Sequence, residues 1–219
     1  MKQITLKQQV LQGNKIIADK NRQILREHSV FMINLMSSPG AGKTTLLESS
    51  LPYIKKHVRI GVIEGDVATT LDAERIAAFG VNVAQINTHG ACHLDAQMIS
   101  RALASLDLNN LDLLVIENVG NLVCPSEFDL GENLRVSLLS ITEGADKVMK
   151  YPSVFAYSDA VILNKLDLLP YVNFDMDQFL STFQKCNPSA PIFKVSASNG
   201  EGMESWIRWL LQRKEDSCL

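Results

Sequence analysis

Residues 37–45 read Ser37-Ser38-Pro39-Gly40-Ala41-Gly42-Lys43-Thr44-Thr45, and this stretch decides the fold. An apolar run, residues 30–36, precedes it, and a helix-like segment, residues 44–56, follows. Strand, glycine-rich loop and helix in that order form the setting in which a P-loop holds a polyphosphate. Glycines let consecutive backbone N–H groups turn inward, and the helix N-terminus adds its positive end. Lys43 is placed to reach the outer phosphates and the Thr44 hydroxyl to ligate Mg²⁺. Ser38, Pro39, Gly40, Ala41, Gly42 and Thr45 complete the expected phosphate cradle. One position departs from the pattern G-x-x-x-x-G-K-S/T, whose first glycine is Ser37 here.

A second motif, Asn164-Lys165-Leu166-Asp167, follows the apolar run 160–163 and fits the pattern N-K-x-D. In that pattern the aspartate accepts hydrogen bonds from the guanine N1–H and exocyclic amine. Adenine lacks this donor pair, so a buried carboxylate rejects ATP by being left unpaired. Asn164 and Lys165 brace the loop and cover the base. Further on, Ser196-Ala197-Ser198 follows the run 192–195 and resembles the loop whose backbone N–H meets the guanine O6. The three motifs in this order, each at a strand's carboxyl end, imply a guanine nucleotide, GTP or GDP.

The 219 residues suffice for one α/β domain with a full core. A net charge of −3 with 21% charged residues excludes a generic polyanion-binding surface, so no nucleic-acid partner is expected. No apolar run reaches membrane-spanning length, the N-terminus lacks a signal-peptide core, and Cys218 is misplaced for prenylation. A cytoplasmic protein without membrane association is expected, and its four cysteines read as thiols or metal ligands rather than disulfides.

Residues 2–28 read as an amphipathic helical leader, either packed on the domain flank or held out as a partner-contacting arm. Expected strands are 30–36, 58–63, 81–86, 111–117, 137–142, 160–163 and 192–195; expected helices are 44–56, 71–79, 94–106, 176–186 and 203–212. The alternation predicts a mostly parallel sheet with helices on both faces, a P-loop NTPase fold with its ligand beyond the strands' carboxyl ends. The division is a leader, 1–29, and one nucleotide-binding domain, 30–219. Trp206 and Trp209 read as core of the last helix.

Cys92-His93, just before a helix, and Cys124, just after a strand, are the second chemical cluster. Thiolate and imidazole suit Ni²⁺, Zn²⁺ or Cu⁺, and three such ligands leave a four-coordinate metal one position short. Water or a partner chain's thiolate would fill it. Spacing alone does not bring Cys124 to Cys92, and a buried cysteine also serves as a small hydrophobe, so both readings stand at this point. His89 is close enough in sequence to assist; Cys186 and Cys218 carry no partner pattern.

The P-loop, Glu64-Gly65-Asp66-Val67-Ala68-Thr69 with Asp72-Ala73-Glu74-Arg75-Ile76, Cys92-His93-Leu94-Asp95-Ala96, and Glu117-Asn118-Val119-Gly120-Asn121-Leu122-Val123-Cys124-Pro125 together resemble HypB. That is a family of SIMIBI-class GTPases that insert nickel during NiFe-hydrogenase maturation, related to the urease accessory GTPase UreG. The resemblance covers about residues 30–200. UreG carries Cys-Pro-His, whereas this chain has Cys92-His93 and a separate Cys124. The Cys-rich or histidine-rich N-terminal nickel segments of some HypB members do not occur in this sequence.

The resemblance implies that Glu117 to Gly120 is a Glu-x-x-Gly element sensing the γ-phosphate, and that Asp66 helps Thr44 hold Mg²⁺. Asp72 is either a second group near Mg²⁺ or an N-cap. Lys43, Thr44, Asp66, Asp72, Glu117 and Gly120 are the expected catalytic set, and Cys92, His93 and Cys124 the expected Ni²⁺ or Zn²⁺ ligands. No glutamine follows Gly120, so hydrolysis by positioning alone is expected to be slow. The family further implies a nucleotide-dependent homodimer, GTP-controlled metal release, and hydrogenase maturation proteins and the hydrogenase large subunit as partners. Lys147 or Lys150 either reaches the partner's nucleotide or is a solvated loop residue. A urease-type accessory GTPase, a metal sensor or store, and a GTPase without metal function are the alternatives.

Overall fold

The computed structural model describes residues 6–67 and 69–217. Leader residues 2–5, Ala68 and Cys218 lie outside the described residues. In chain order the elements are α1 (Leu6–Glu27), β1 (Phe31–Ser37), α2 (Lys43–Ile54), β2 (Ile60–Asp66), α3 (Leu71–Ala77), β3 (Asn82–Asn87), α4 (Ala96–Ser105), β4 (Leu113–Glu117), β5 (Leu134–Ser140), α5 (Lys147–Lys150), α6 (Pro152–Ala156), β6 (Ala160–Asn164), α7 (Met176–Cys186), β7 (Ile192–Lys194) and α8 (Met203–Asp216).

The strands form one sheet in the order β3-β2-β4-β1-β5-β6-β7, and every pairing is parallel. Their side chains are apolar on both faces because helices cover both. Ile33, Leu35, Val62, Val115 and Ile162 pack with α2 and α8 on one face. Met32, Ile63 and Ile116 meet α4 and the end of α1 on the other, and Met36, Leu139 and Leu163 meet α6 and α7. Trp206 is buried in the first of these cores and Trp209 packs at its edge, as the last helix's pattern predicts.

The order places β1 between β4 and β5, where the chain's path reverses, and ligands bind at such a point in open α/β sheets. The loops after β1, β2 and β4 therefore converge on one cleft.

Most expected elements differ from the observed ones by only a few residues. The second strand, expected at 58–63, is Ile60–Asp66, and the fifth, expected at 137–142, is Leu134–Ser140. Arg135 hides its start in the sequence, yet sits in the strand because Glu132 pairs with its Nε at 2.7 Å. Ser140 then caps a turn of 3₁₀-helix in a reciprocal box with Glu143, so the apolar Ile141 does not continue the strand. The short helices α5 and α6 have too few residues to show a period.

Helix α1 lies along the flank, against α4. The buried Asn21 donates from Nδ2 to the carbonyls of Ala96 at 2.8 Å and Leu130 at 3.1 Å. Asn14 accepts the Ala96 N–H at 2.8 Å, and Arg22 forks onto Asp129 at 2.8 and 2.9 Å. Ala96 opens α4 directly after the segment of Cys92 and His93, so α1 anchors one side of the candidate metal loop. Replacing Asn21 by Ala removes the shared donor of two carbonyls, and the expected loss is about 1–3 kcal/mol of stability. Urea unfolding measures it; an unchanged midpoint would mean that α1 is not anchored there.

Candidate nucleotide and metal site

The cleft at the sheet's carboxyl edge has a volume of about 460 Å³ and is lined by the P-loop, the ends of β2 and β4, Asp72, Arg75 and Lys165. Gly40 and Gly42 have φ values of 73° and 103°, which the loop needs to turn its amides inward. A Cβ on Gly42 would also lie 2.7 Å from Asn164 Nδ2, so the cradle closes only around glycine. Ser37, at the place of the usual glycine, is the last residue of β1 and is buried. Its Oγ accepts from Lys43 Nζ at 3.1 Å and donates to the Ser38 carbonyl at 2.7 Å. The side chain that departs from the pattern thus orients the lysine.

Thr44 Oγ1 donates to Glu117 Oε1 at 2.7 Å. Glu117 faces Glu64 across the β2 and β4 pairing, and both are buried. One carboxylate oxygen of each, Oε2, has no hydrogen-bond partner among the described residues. Burial first, then Glu117, Asp66 and Asp72, push the Glu64 carboxyl up to about 8. Burial likewise raises Glu117, against the pull of Lys43, and lowers Lys43 itself, against Glu117. Burial and crowding favour the neutral acids, and their orphaned oxygens beside a P-loop hydroxyl fit Mg²⁺ or its waters, which would take the place of those protons.

Asp66 caps its own loop: Oδ1 accepts the Val67 N–H at 2.5 Å and Oδ2 the Thr69 N–H at 3.1 Å. Asp72 is not the N-cap, a position that Thr70 holds without a side-chain cap bond; it lies in the first turn and pairs with Arg75 at 2.8 Å. Gly120 closes the cleft from the β4 side. A Cβ there would lie 2.8 Å from Pro39 Cα.

At the base-binding end, Asn164 Nδ2 donates to the Ala41 carbonyl at 3.0 Å, and Lys165 Nζ to that of Gly40 at 2.7 Å. Ser196 Oγ donates to Asp167 Oδ1 and fixes the carboxylate. The Ala197 N–H, the expected donor to the base, is given to Asn164 Oδ1 at 3.1 Å instead. This bond ties the third motif to the second.

The structure brings Cys92, His93 and Cys124 together, with ligand atoms within 4.8 Å of one another. The two Sγ atoms are 3.2 Å apart, and Cys92 Sγ lies 3.8 Å from His93 Nδ1. Burial lowers the His93 pKa, favouring the neutral imidazole that binds metal. Its ring packs on Phe128 at 4.0 Å between centroids. His89 is exposed and outside this cluster. Cys186 is bonded to the Pro152 carbonyl at 3.5 Å. Lys147 and Lys150 do not line the cleft; they pair with Glu143 at 4.0 Å and Asp146 at 2.5 Å.

A family model described as the CobW/HypB/UreG nucleotide-binding domain matches residues 31–194. The chain belongs to this family, in its HypB branch. The hydrogenase maturation factor HypB of Escherichia coli K12 is 49% identical over 201 residues, covering 92% of this chain and 69% of that protein. The hydrogenase/urease maturation factor HypB of Helicobacter pylori J99 is 41% identical over 220 residues, 99% of this chain and 90% of that one. A crystal structure of Helicobacter pylori HypB in complex with nickel superposes with a TM-score of 0.90 at 42% identity, covering 94% of this chain and 96% of that chain. The signal recognition particle receptor FtsY of Elizabethkingia anophelis, at 13% identity and a TM-score of 0.55, shares the fold alone.

Sequence reasoning missed Glu64, which looks like one acid in an apolar strand until the register sets it opposite Glu117. Its place two residues before Asp66, on the same strand face, was the available signal. Asn118 and Asn121 were likewise unassigned. For this HypB-type cleft, the contact of Gly120 with Pro39 yields a prediction. Gly120→Ala pushes on P-loop backbone, and triphosphate affinity is expected to fall on the order of 10-fold or more. Fluorescent-nucleotide titration measures it; wild-type affinity would show that the two loops are not in contact.

Proposed function

We propose that this chain is a GTP-hydrolysing metallochaperone of the cytoplasm that binds Ni²⁺ or Zn²⁺ and supports nickel insertion into NiFe hydrogenase. The observation that carries this reading is the convergence of Cys92, His93 and Cys124 beside the segment that joins Glu117, partner of Thr44, to Cys124. Lys43, Ser38, Pro39, Gly40, Ala41, Gly42, Thr44 and Thr45 hold the phosphates; Asp167 and Lys165 hold the base, with Asn164, Ser196 and Ala197 fixing the loops around it. Mg²⁺ would supply charge neutralisation between the outer phosphates, held by Thr44 and by Asp66 directly or through water, beside the Oε2 atoms of Glu64 and Glu117 that no described group satisfies and with Asp72 on the cleft wall. Gly120 presents its N–H to the γ-phosphate. With Asn121 and Leu122 where a water-orienting glutamine would stand, hydrolysis is slow, as suits a switch.

Two thiols and an imidazole are a donor set that suits either Ni²⁺ or Zn²⁺, and the Cys92 and Cys124 sulfurs, hydrogen-bonded at 3.2 Å, are close enough to share one ion. Three ligands per chain leave the fourth position to water or to a second copy. GTP therefore promotes a homodimer around the metal, and hydrolysis changes the geometry and releases the metal toward hydrogenase maturation proteins and the large subunit.

Asp167→Asn is expected to weaken GTP binding and favour xanthine nucleotides, because the carboxylate that reads guanine is lost. Cys92→Ala is expected to lose Ni²⁺ with GTP affinity intact. Competition binding and nickel titration test the two. Unchanged GTP preference in the first variant overturns the guanine assignment, and unchanged nickel affinity in the second overturns the metal assignment.

A further inference from the structure

The end of β4 sends consecutive side chains to opposite faces of the sheet. Glu117 points to the α2 face and meets Thr44, while Asn118 points to the α4 face and is 1% exposed. Asn118 Oδ1 accepts two backbone N–H groups, that of Val119 at 2.9 Å and that of Leu94 at 3.2 Å. Its Nδ2 donates to Asn34 Oδ1 at 3.1 Å, which fixes the amide's orientation from β1. Val119 directly precedes Gly120, and Leu94 directly follows His93. One oxygen thus joins the loop against the P-loop to the loop of the metal ligands.

Two further contacts run in parallel. Asn121 Nδ2 donates to the Cys92 carbonyl at 3.2 Å, and its Oδ1 accepts the N–H of Val123, the neighbour of Cys124, at 2.9 Å. On β2, a Cβ at Gly65, between Glu64 and Asp66, would lie 2.7 Å from Leu94 Cδ1.

We propose that Asn118 and Asn121 are the positioning residues through which the state of the nucleotide sets the spacing of Cys92, His93 and Cys124. The inference rests on the nucleotide-coupled metallochaperone reading above. When Gly120 moves with the γ-phosphate, the Val119 N–H moves with it. The Asn118 oxygen shared with Leu94 cannot follow one donor without changing its bond to the other. Asn121 passes the same movement to the Cys92 carbonyl and to the chain entering Cys124. A leucine at either position would fill space and carry none of this, since the link is a hydrogen bond and not a volume.

Calorimetric Ni²⁺ titrations in the GDP state and in the GTP-analogue state decide it, run on wild type, Asn118→Ala and Asn121→Ala, with circular dichroism for folding. In the wild type the two affinities are expected to differ by roughly 5- to 150-fold. In Asn118→Ala the ratio is expected to fall to near one, and in Asn121→Ala to an intermediate value, with GDP affinity and Ni²⁺ affinity in the GDP state within about 3-fold of wild type. Equal affinities in the wild type would overturn the coupled reading itself. A wild-type ratio retained in both folded variants would overturn only the role of the two asparagines. So would a parallel loss of both affinities at constant ratio, which is what a merely structural role produces. Should Asn118→Ala fail to fold, the partly exposed Asn121 decides alone: a full wild-type ratio there rejects the proposal.

Discussion

The pleat at the carboxyl end of β4 governs the arrangement of both sites. Side chains alternate along a strand, so Glu117 and Asn118 cannot serve the same face. Glu117 faces α2 and the P-loop threonine, and Asn118 faces the segment that leads from Cys92 into α4. The same alternation puts Glu64 and Gly65 on opposite faces of β2, the first beside Glu117 and the second under Leu94. Two adjacent parallel strands therefore each present one residue to the nucleotide side and one to the metal side. The rest of the fold keeps those ends in register: β1 lies between β4 and β5, α2 covers one face, and α1 clamps the start of α4.

The electrostatics of the cleft suit a site that waits for charge. Lys43 is buried, and burial lowers its pKa against the attraction of Glu117. Glu64 and Glu117 are raised by burial, with oxygens that no described group satisfies. Arg75 is engaged with Glu48 and Asp72, and Lys165 with the Gly40 carbonyl. The raised Glu64 carboxyl keeps its proton near neutral pH, and a divalent cation would take that proton's place. The lining thus fits a polyphosphate accompanied by a divalent cation, with Lys43 on the phosphate side and the buried acids on the cation side.

The sequence made the fold legible wherever apolar runs alternated with helical spacing, and the nucleotide end of the site wherever loop chemistry is local. Gly40, Gly42, Lys43 and Thr44 are close in the chain, and the backbone they require is dictated by their own residue types. Ser37 was readable only as a departure; its bond to Lys43 needed the end of β1 in place. Cys92 and Cys124 are 32 positions apart, and their meeting depends on β2, β4 and α4 packing together, which no local pattern encodes. Glu64, Asn118 and Asn121 were in plain view in the quoted motifs. Their roles follow from strand register and from which backbone N–H groups meet them, properties of the assembled sheet.

The loops after β2 and β4 line the nucleotide cleft, and the loop after β4 leads on to Cys124 beside Cys92 and His93, so a coupling proposed between the two sites must show in the geometry of bound metal. Nickel X-ray absorption on the same loaded protein, first with GDP and then with a non-hydrolysable GTP analogue, reads that geometry directly. The sulfur and nitrogen shell is expected to change between the two states, in coordination number or in bond length. Superimposable spectra at full nickel and nucleotide occupancy would contradict the coupling.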